Sequence, residues 1–395
     1  MIGGSGLTLL GLLLAVGFVV GHMAERIGVP RIAAYVLVGA AFSQPFLGQF
    51  IIDGQPEWDP VLVQAALGAV AFMIGGELEW GWLRRLGGGI AGGTLGQSVG
   101  ALAVVTVTLW AYGSMAGAQS PLATGLVLGA IATATAPAAT LAVIEEYQTR
   151  GPLTMTLLGV VALDDMLSII LFTLALVAAG GAGEHQLLSA FWEIGGAIAL
   201  GSAMGCLLGW FGWRVEQEDL RLPVVAGSIL LAVGLANLLH LSPLLTCMLL
   251  GLVSKEFFDP QKTQQWLRPM THIQELIFLT LFTLAGTHFE PAVFVDSLGF
   301  IAAYAVARVV GKVVGAWLGT TIVKAPAVLR HRLGFALLPQ AGVSIGLALV
   351  ASGAPGLEQA GPLIVNTILG TTILFELVAP ILTKIVLVGA GEAKQ

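Results

Sequence analysis

The chain has 395 residues, of which 56% are hydrophobic and only 10% charged, with a mean hydropathy of +0.91 and a formal net charge of −6. A soluble domain carries about 25% charged residues, so a water-soluble globule or a disordered chain is excluded. The acidic balance offers no basic face to a phosphate backbone, and no nucleic-acid partner is expected.

The solvent is therefore lipid, and a span needs about 20 apolar residues. Thirteen spans are predicted, giving an all-α polytopic membrane protein. The first, 4–23, lacks a basic leader and reads as a spanning helix, not a cleaved signal. Span 29–45 follows Pro30, and span 60–80 follows the acidic segment Asp53 to Pro60. Span 88–112 carries the small-residue ridge Gly92, Gly96 and Gly100. Span 120–145 holds Ala132 to Thr140 with Thr133, Thr135 and Pro137 at mid-depth. Span 151–180 opens at Gly151-Pro152 and carries Asp164 and Asp165 at its centre. Spans 187–213, 222–240, 242–254 and 272–289 follow, with Gly201, Gly205 and Gly209 on the first and breaks at Pro223 and Pro243. Span 293–323 combines Gly311, Gly315 and Gly319 with Arg308 and Lys312. Span 328–352 holds Leu338-Pro339-Gln340-Ala341-Gly342-Val343-Ser344, and span 359–388 holds Glu376. Cys206 and Cys247 fall in apolar stretches and read as small hydrophobes.

All but two of the 17 Lys and Arg lie in alternate loops or at the span ends beside them, from Arg26 to Lys394. The opposite loops hold no cation and include Asp53, Glu57, Asp59, Glu184, Glu290, Asp296 and Glu358. The positive-inside rule then predicts an outside N-terminus and a cytoplasmic C-terminus.

The two exceptions, Arg308 and Lys312, join Asp164, Asp165 and Glu376 as ionisable residues inside spans, each a functional-site candidate. Adjacent residues on a helix point about 100° apart, so one aspartate can face a cavity while the other faces a neighbouring helix. Two carboxylates in lipid cannot easily both stay ionised without a cation nearby. A proton and a small hard cation then compete for the same oxygens. Arg308 and Lys312 share a helix face, and either could reach the aspartates. A buried lysine gives up its charge more readily than an arginine. The expectation is that Lys312 pairs with Asp164 as a switch, while Arg308 makes a permanent bridge with Glu376 as its partner.

Proline interrupts a helix and frees carbonyls. Interrupted spans in corresponding positions of two halves mark a transporter binding site, here at Thr133, Thr135 and Pro137, and at Pro339, Gln340 and Gly342. Spans four to six and eleven to thirteen match in order and lie in opposite orientation, an inverted repeat. Gly342-Val343-Ser344-Ile345-Gly346 fits a G-x-S-x-G nucleophile elbow, but that motif needs a strand before it; no enzyme is expected.

Glu25-Arg26-Ile27-Gly28-Val29-Pro30 with Ala34 to Gly39, and Phe72 to Leu78, are followed by the Thr/Pro break, Asp164-Asp165, Lys312, Pro339 to Gly342 and Glu376. With these motifs in this order the chain resembles the monovalent cation–proton antiporters, in particular the bacterial paired-aspartate branch. The resemblance implies sodium (or lithium)–proton exchange by an elevator-like homodimer in the bacterial inner membrane, with roles in pH homeostasis and no cofactor. Residues 87–181 and 292–395 would form the mobile core. Residues 1–86 and 182–291 would supply dimerisation helices and the linker, embedded in lipid. By the same resemblance Asp165 is the principal carrier of cation and proton, and Asp164 is released from Lys312 when the ion binds. The fifth span lacks the acidic residue of the electroneutral branch, which implies electrogenic exchange. Potassium–proton exchange and sodium-coupled organic-anion symport are the alternatives.

Overall fold

The computed structural model describes residues 2–27, 29–43, 46–47, 59–77, 87–136, 140–141, 143–144, 147–179, 186–212, 214–215, 217–256, 260–340 and 342–393. Pro137, the acidic loop at 53–58 and Arg84-Arg85 lie outside them. The described residues form helices and turns, with no strand among them. In chain order the helices are α1 (Ile2–Arg26), α2 (Arg31–Ala41), α3 (Asp59–Glu77), α4 (Gly88–Met115) and α5 (Pro121–Ile131). Then come α6 (Pro152–Ala179), α7 (Gln186–Gly212), α8 (Glu218–Leu238), α9 (Pro243–Lys255) and α10 (Pro260–Thr287). The last five are α11 (Pro291–Asp296), α12 (Leu298–Ile322), α13 (Ala327–Ala336), α14 (Gly342–Ser352) and α15 (Gly361–Gly389). Among the described residues, seven helices are long and apolar enough to cross a membrane, and five shorter apolar ones accompany them.

Proline sets many of the starts. Pro121, Pro152, Pro243, Pro260 and Pro291 each occupy the first helical position, where the missing N–H costs nothing. Ser242 adds a side-chain cap to α9, accepting from the Leu245 N–H at 3.4 Å. Three expectations shift. Pro223 does not begin a helix but sits inside α8, which starts five residues earlier at Glu218. The tenth span starts earlier too, because α10 extends back to Pro260 over a polar first half. The eleventh span is two helices, α11 and α12, divided at Ser297.

The chain clusters into two compact units. One comprises Met1–Gly54, Arg84–Gly180 and Phe282–Gln395, the other Gln55–Leu83 and Gly181–Leu281. In the first unit the predicted glycine ridges of α4 and α12 pack on each other. A Cβ on Gly96 would lie 2.3 Å from the Gly315 carbonyl oxygen, and one on Gly100 would lie 2.4 Å from that of Gly311. Only glycine lets the two backbones come so close. An apolar cluster of Leu153, Leu157, Val160, Leu333, Leu337 and Leu387 ties α6, α13 and α15. Glu392, just past α15, caps the start of α6: its carboxylate accepts from the Leu153 and Thr154 N–H groups and the Thr154 hydroxyl, each at 2.8 Å. An anion there satisfies otherwise unpaired N–H groups and suits the helix dipole.

The second unit is built around α9. Gly251 meets the Phe72 carbonyl of α3, where a Cβ would sit at 2.1 Å, and Gly201 of α7 meets the Thr246 carbonyl at 2.5 Å on the same count.

Candidate ion-binding site

The site grows from two interrupted helices of the first unit. Helix α5 stops at Ile131, and α13 stops at Ala336, with α14 beginning at Gly342. The unwound segments after α5 and α13 touch, the Ala136 N–H donating to the Pro339 carbonyl at 3.0 Å. Both helices therefore bring a C-terminal, partly negative end to one place. Carbonyls released there have no water to take, so something must donate to them.

Arg308 supplies that donation. It is fully buried, and its guanidinium reaches the carbonyls of Leu338 at 2.7 Å, Ala134 at 2.9 Å and Pro339 at 3.4 Å. Its Cζ lies 4.6 Å from the centre of the Phe375 ring. One cation thus ties both unwound segments and offsets both helix ends. Lys312 lies one turn further along α12, also fully buried, and donates to the Ala134 carbonyl at 3.1 Å and to Thr135 Oγ1 at 2.6 Å. Its Nζ is 3.5 Å from Asp164 Oδ2, the expected ion pair.

Asp164 is enclosed completely. Oδ2 accepts from the Thr135 hydroxyl as well as from Lys312. Oδ1 accepts from the Gln97 amide and, at 3.3 Å, from the Ser98 hydroxyl, both on α4. Asp165, the next residue on α6, is 4% exposed, and its main-chain carbonyl accepts from Ser168 Oγ at 2.8 Å. The arrangement holds a carboxylate among four donors, one of them charged. A monovalent cation that replaces the charge of Lys312 adds no net charge to the pocket, whereas one that replaces a neutral donor adds one.

The structure brings Asp164, Thr135, Lys312 and Arg308 together and leaves other candidates apart. Thr133 turns back, its hydroxyl donating to the Ala130 carbonyl at 2.7 Å. The chain is still turning there, with i→i−3 bonds from the Thr133 and Ala134 N–H groups, so Thr133 caps α5 and does not reach Asp164. Glu376 does not pair with Arg308, whose two terminal nitrogens are taken by carbonyls; Glu376 is 3% exposed and its Oε1 is buried without a hydrogen-bond partner among the described residues. Gln340 is fully buried in the second unwound segment. Gly342 opens α14, where a Cβ would meet the Phe282 ring at 2.6 Å. Ser344 sits in the first turn of α14 behind an unwound segment, so the expected strand of a nucleophile elbow is not there.

Gln97 and Ser98 were not among the sequence candidates, which were chosen for charge or for helix breaks. Their signal is a Gln-Ser pair within an apolar, Gly-rich helix. Uncharged polar groups are also costly in a dry interior without partners, so such a pair points to a polar neighbour.

Comparisons with known proteins give the family and the fold. Residues 11–389 match the family described as sodium/hydrogen exchanger, transmembrane. The chain is 25% identical over 355 residues to the ammonium/H(+) antiporter subunit AmhT of Alkalihalophilus pseudofirmus, covering 87% of this chain and 86% of that protein. Its fold is similar to the sodium proton antiporter MjNhaP1 of Methanocaldococcus jannaschii at pH 8, with a TM-score of 0.79, 18% identity, and 98% and 99% of the two chains covered. An electron-microscopy structure of the same antiporter gives 0.71 and 19% over the full length of both chains. The chain therefore belongs to the sodium/hydrogen exchanger family: it is a multi-pass membrane cation–proton antiporter, and not an enzyme.

Proposed function

We propose that this antiporter exchanges Na+ or Li+ for H+ at Asp164 and Asp165, and that the exchange is electrogenic. The observation that carries the reading is the Lys312–Asp164 pair inside a cage of neutral donors. With both aspartates ionised and Lys312 having given up its proton, two negative charges hold one monovalent cation. Two protons, one on Lys312 and one on Asp165, replace that cation, so each cycle moves one net charge. Lys312 takes up Asp164 when the cation departs and releases it when the cation binds. Asp165, alongside on α6, is the main carrier.

The site alternates between the two membrane faces by an elevator-like movement of residues 87–181 and 292–395. Residues 1–86 and 182–291 serve as linker and dimerisation helices in a homodimer. The N-terminus lies outside and the C-terminus in the cytoplasm of a bacterial inner membrane, where the exchange serves pH homeostasis. The loop charge asymmetry supports this orientation. A net charge moved per cycle couples transport to the membrane potential by about 2.3 kcal/mol per 100 mV.

A second reading, K+ or ammonium as the cation, is favoured by the name of the ammonium/H(+) antiporter relative. Purified protein in vesicles under an imposed pH gradient separates the readings. Sodium or lithium should drive proton flux with the lowest half-saturating concentration, and a valinomycin-set potential should change its rate. Proton flux driven by potassium or ammonium alone selects the second reading, and no flux with any of them overturns both. Asp165→Asn is expected to reduce flux to the level of empty vesicles; full flux in that variant removes the site.

A further inference from the structure

Asp164 is held by two sets of donors, and the mechanism above uses only one. Lys312 and Thr135 serve Oδ2. On the other side Gln97 and Ser98 serve Oδ1. Both α4 residues are fully buried. The glycine seam between α4 and α12 fixes their distance, since Gly96 and Gly100 bracket Gln97 and lie against the Gly315 and Gly311 carbonyls.

Gln97 has one donor end and one acceptor end. An ionised carboxylate only accepts, so the –NH2 must face Asp164. That leaves Oε1 buried with no hydrogen-bond partner among the described residues. A buried carbonyl oxygen left without a donor is costly, and such an atom beside an ion site calls for an explanation. An arriving cation at Oδ1 would face the amide hydrogens and be repelled. Half a turn about the terminal amide torsion, which is soft and two-fold, exchanges the hydrogens for Oε1. That oxygen has no hydrogen bond to give up, while the nitrogen gives up those to Asp164 and, at 2.6 Å, to Ser98 Oγ.

We infer that Gln97 is a neutral ligand switch for the transported cation: it donates to Asp164 while the site is empty of metal, and turns to offer Oε1 to a dehydrated monovalent cation bound at Asp164. Lys312 and Gln97 then act on opposite oxygens of one carboxylate, the first governing charge and the second contributing to which cation fits. This rests on the proposal that the cation binds at Asp164 and Asp165.

The test uses the full-length protein in vesicles, with half-saturating concentrations and maximal rates measured for Na+, Li+, K+ and ammonium. Gln97→Met keeps length and flexibility but removes both polar atoms. It should raise half-saturation for the preferred cation about tenfold or more, change the ratios among the four cations, and alter the maximal rate less. Gln97→Glu keeps an oxygen for the cation and should return half-saturation to within about threefold of the parent. Unchanged cation ratios in Gln97→Met overturn the inference. Should Gln97→Met fail to assemble, unchanged ratios in Gln97→Ala do so. Asp165→Asn, run in parallel, separates the two ideas. Full flux there removes the underlying site, whereas loss of flux there with Gln97→Met unchanged removes only the role of Gln97.

Discussion

The surroundings of α9 in one unit and of Asp164 in the other satisfy their buried polar groups in different ways. Around α9, hydroxyls return to carbonyls of their own helix: Thr246 Oγ1 to Ser242 at 2.8 Å, Ser254 Oγ to Gly251 at 3.1 Å, and on α8 Ser228 Oγ to Val224 at 2.8 Å. Around Asp164 the bonds join residues far apart in the chain. Lys312 reaches Ala134, 178 positions away, and Gln97 reaches Asp164 across 67. A locally satisfied group needs nothing from its neighbours and can slide past them as part of its helix. A group satisfied across helices fixes those helices to one another and has a partner that an ion can displace. The proposed ion site therefore falls where polar groups of different helices depend on one another.

That contrast can be broken deliberately. Lys312→Ala should have the largest effect on stability. Removing one member of a buried pair strands the other, at about 3–5 kcal/mol, which a lowered melting temperature in detergent will register. The same variant should change both cation half-saturation and the pH profile of transport, and an unchanged pair of values rejects Lys312 as the switch.

A matched pair of threonine variants sharpens the comparison. Thr135→Val removes a donor to a carboxylate, worth about 1.5–3 kcal/mol, and should slow exchange. Thr246→Val removes a bond within α9, worth about 0.5–1.5 kcal/mol, and should leave exchange kinetics as they are. Equal transport defects in the two would erase the distinction between local and cross-helix satisfaction.

The smallest effect is expected from Glu392→Ala. It uncaps α6 at about 1 kcal/mol, visible as a modest drop in melting temperature and faster amide exchange at residues 152–155. No change in either measurement would mean that the tail does not hold the helix carrying the aspartates.

Much of this was legible in the chain. The membrane class follows from 10% charge, because a surface facing water cannot be covered with so little. The same scarcity picks out the site: so few ionisable residues fall within spans that Asp164, Arg308 and Lys312 could be named individually, and two glycine ridges announced a close helix contact before their pairing was visible. Distances across helices are another matter, since sequence spacing orders residues along one helix and says little about which face meets a neighbour. Thr133 and Thr135 are two positions apart, yet one closes a helix end and the other touches Asp164, because the chain stops turning between them. Arg308 is expected to seek a carboxylate, but the carbonyls of two unwound segments lie nearer, so Glu376 is left without it. Gln97 carries no charge to draw notice, and only the packing of α4 on α12 and α6 sets its amide against Asp164. The sequence by itself determined the solvent, the spans and the short roster of buried charges, all of them consequences of what lipid will accept. The tertiary structure decided the partners, because in a dry interior each polar group takes whichever donor or acceptor the crossing helices bring within reach.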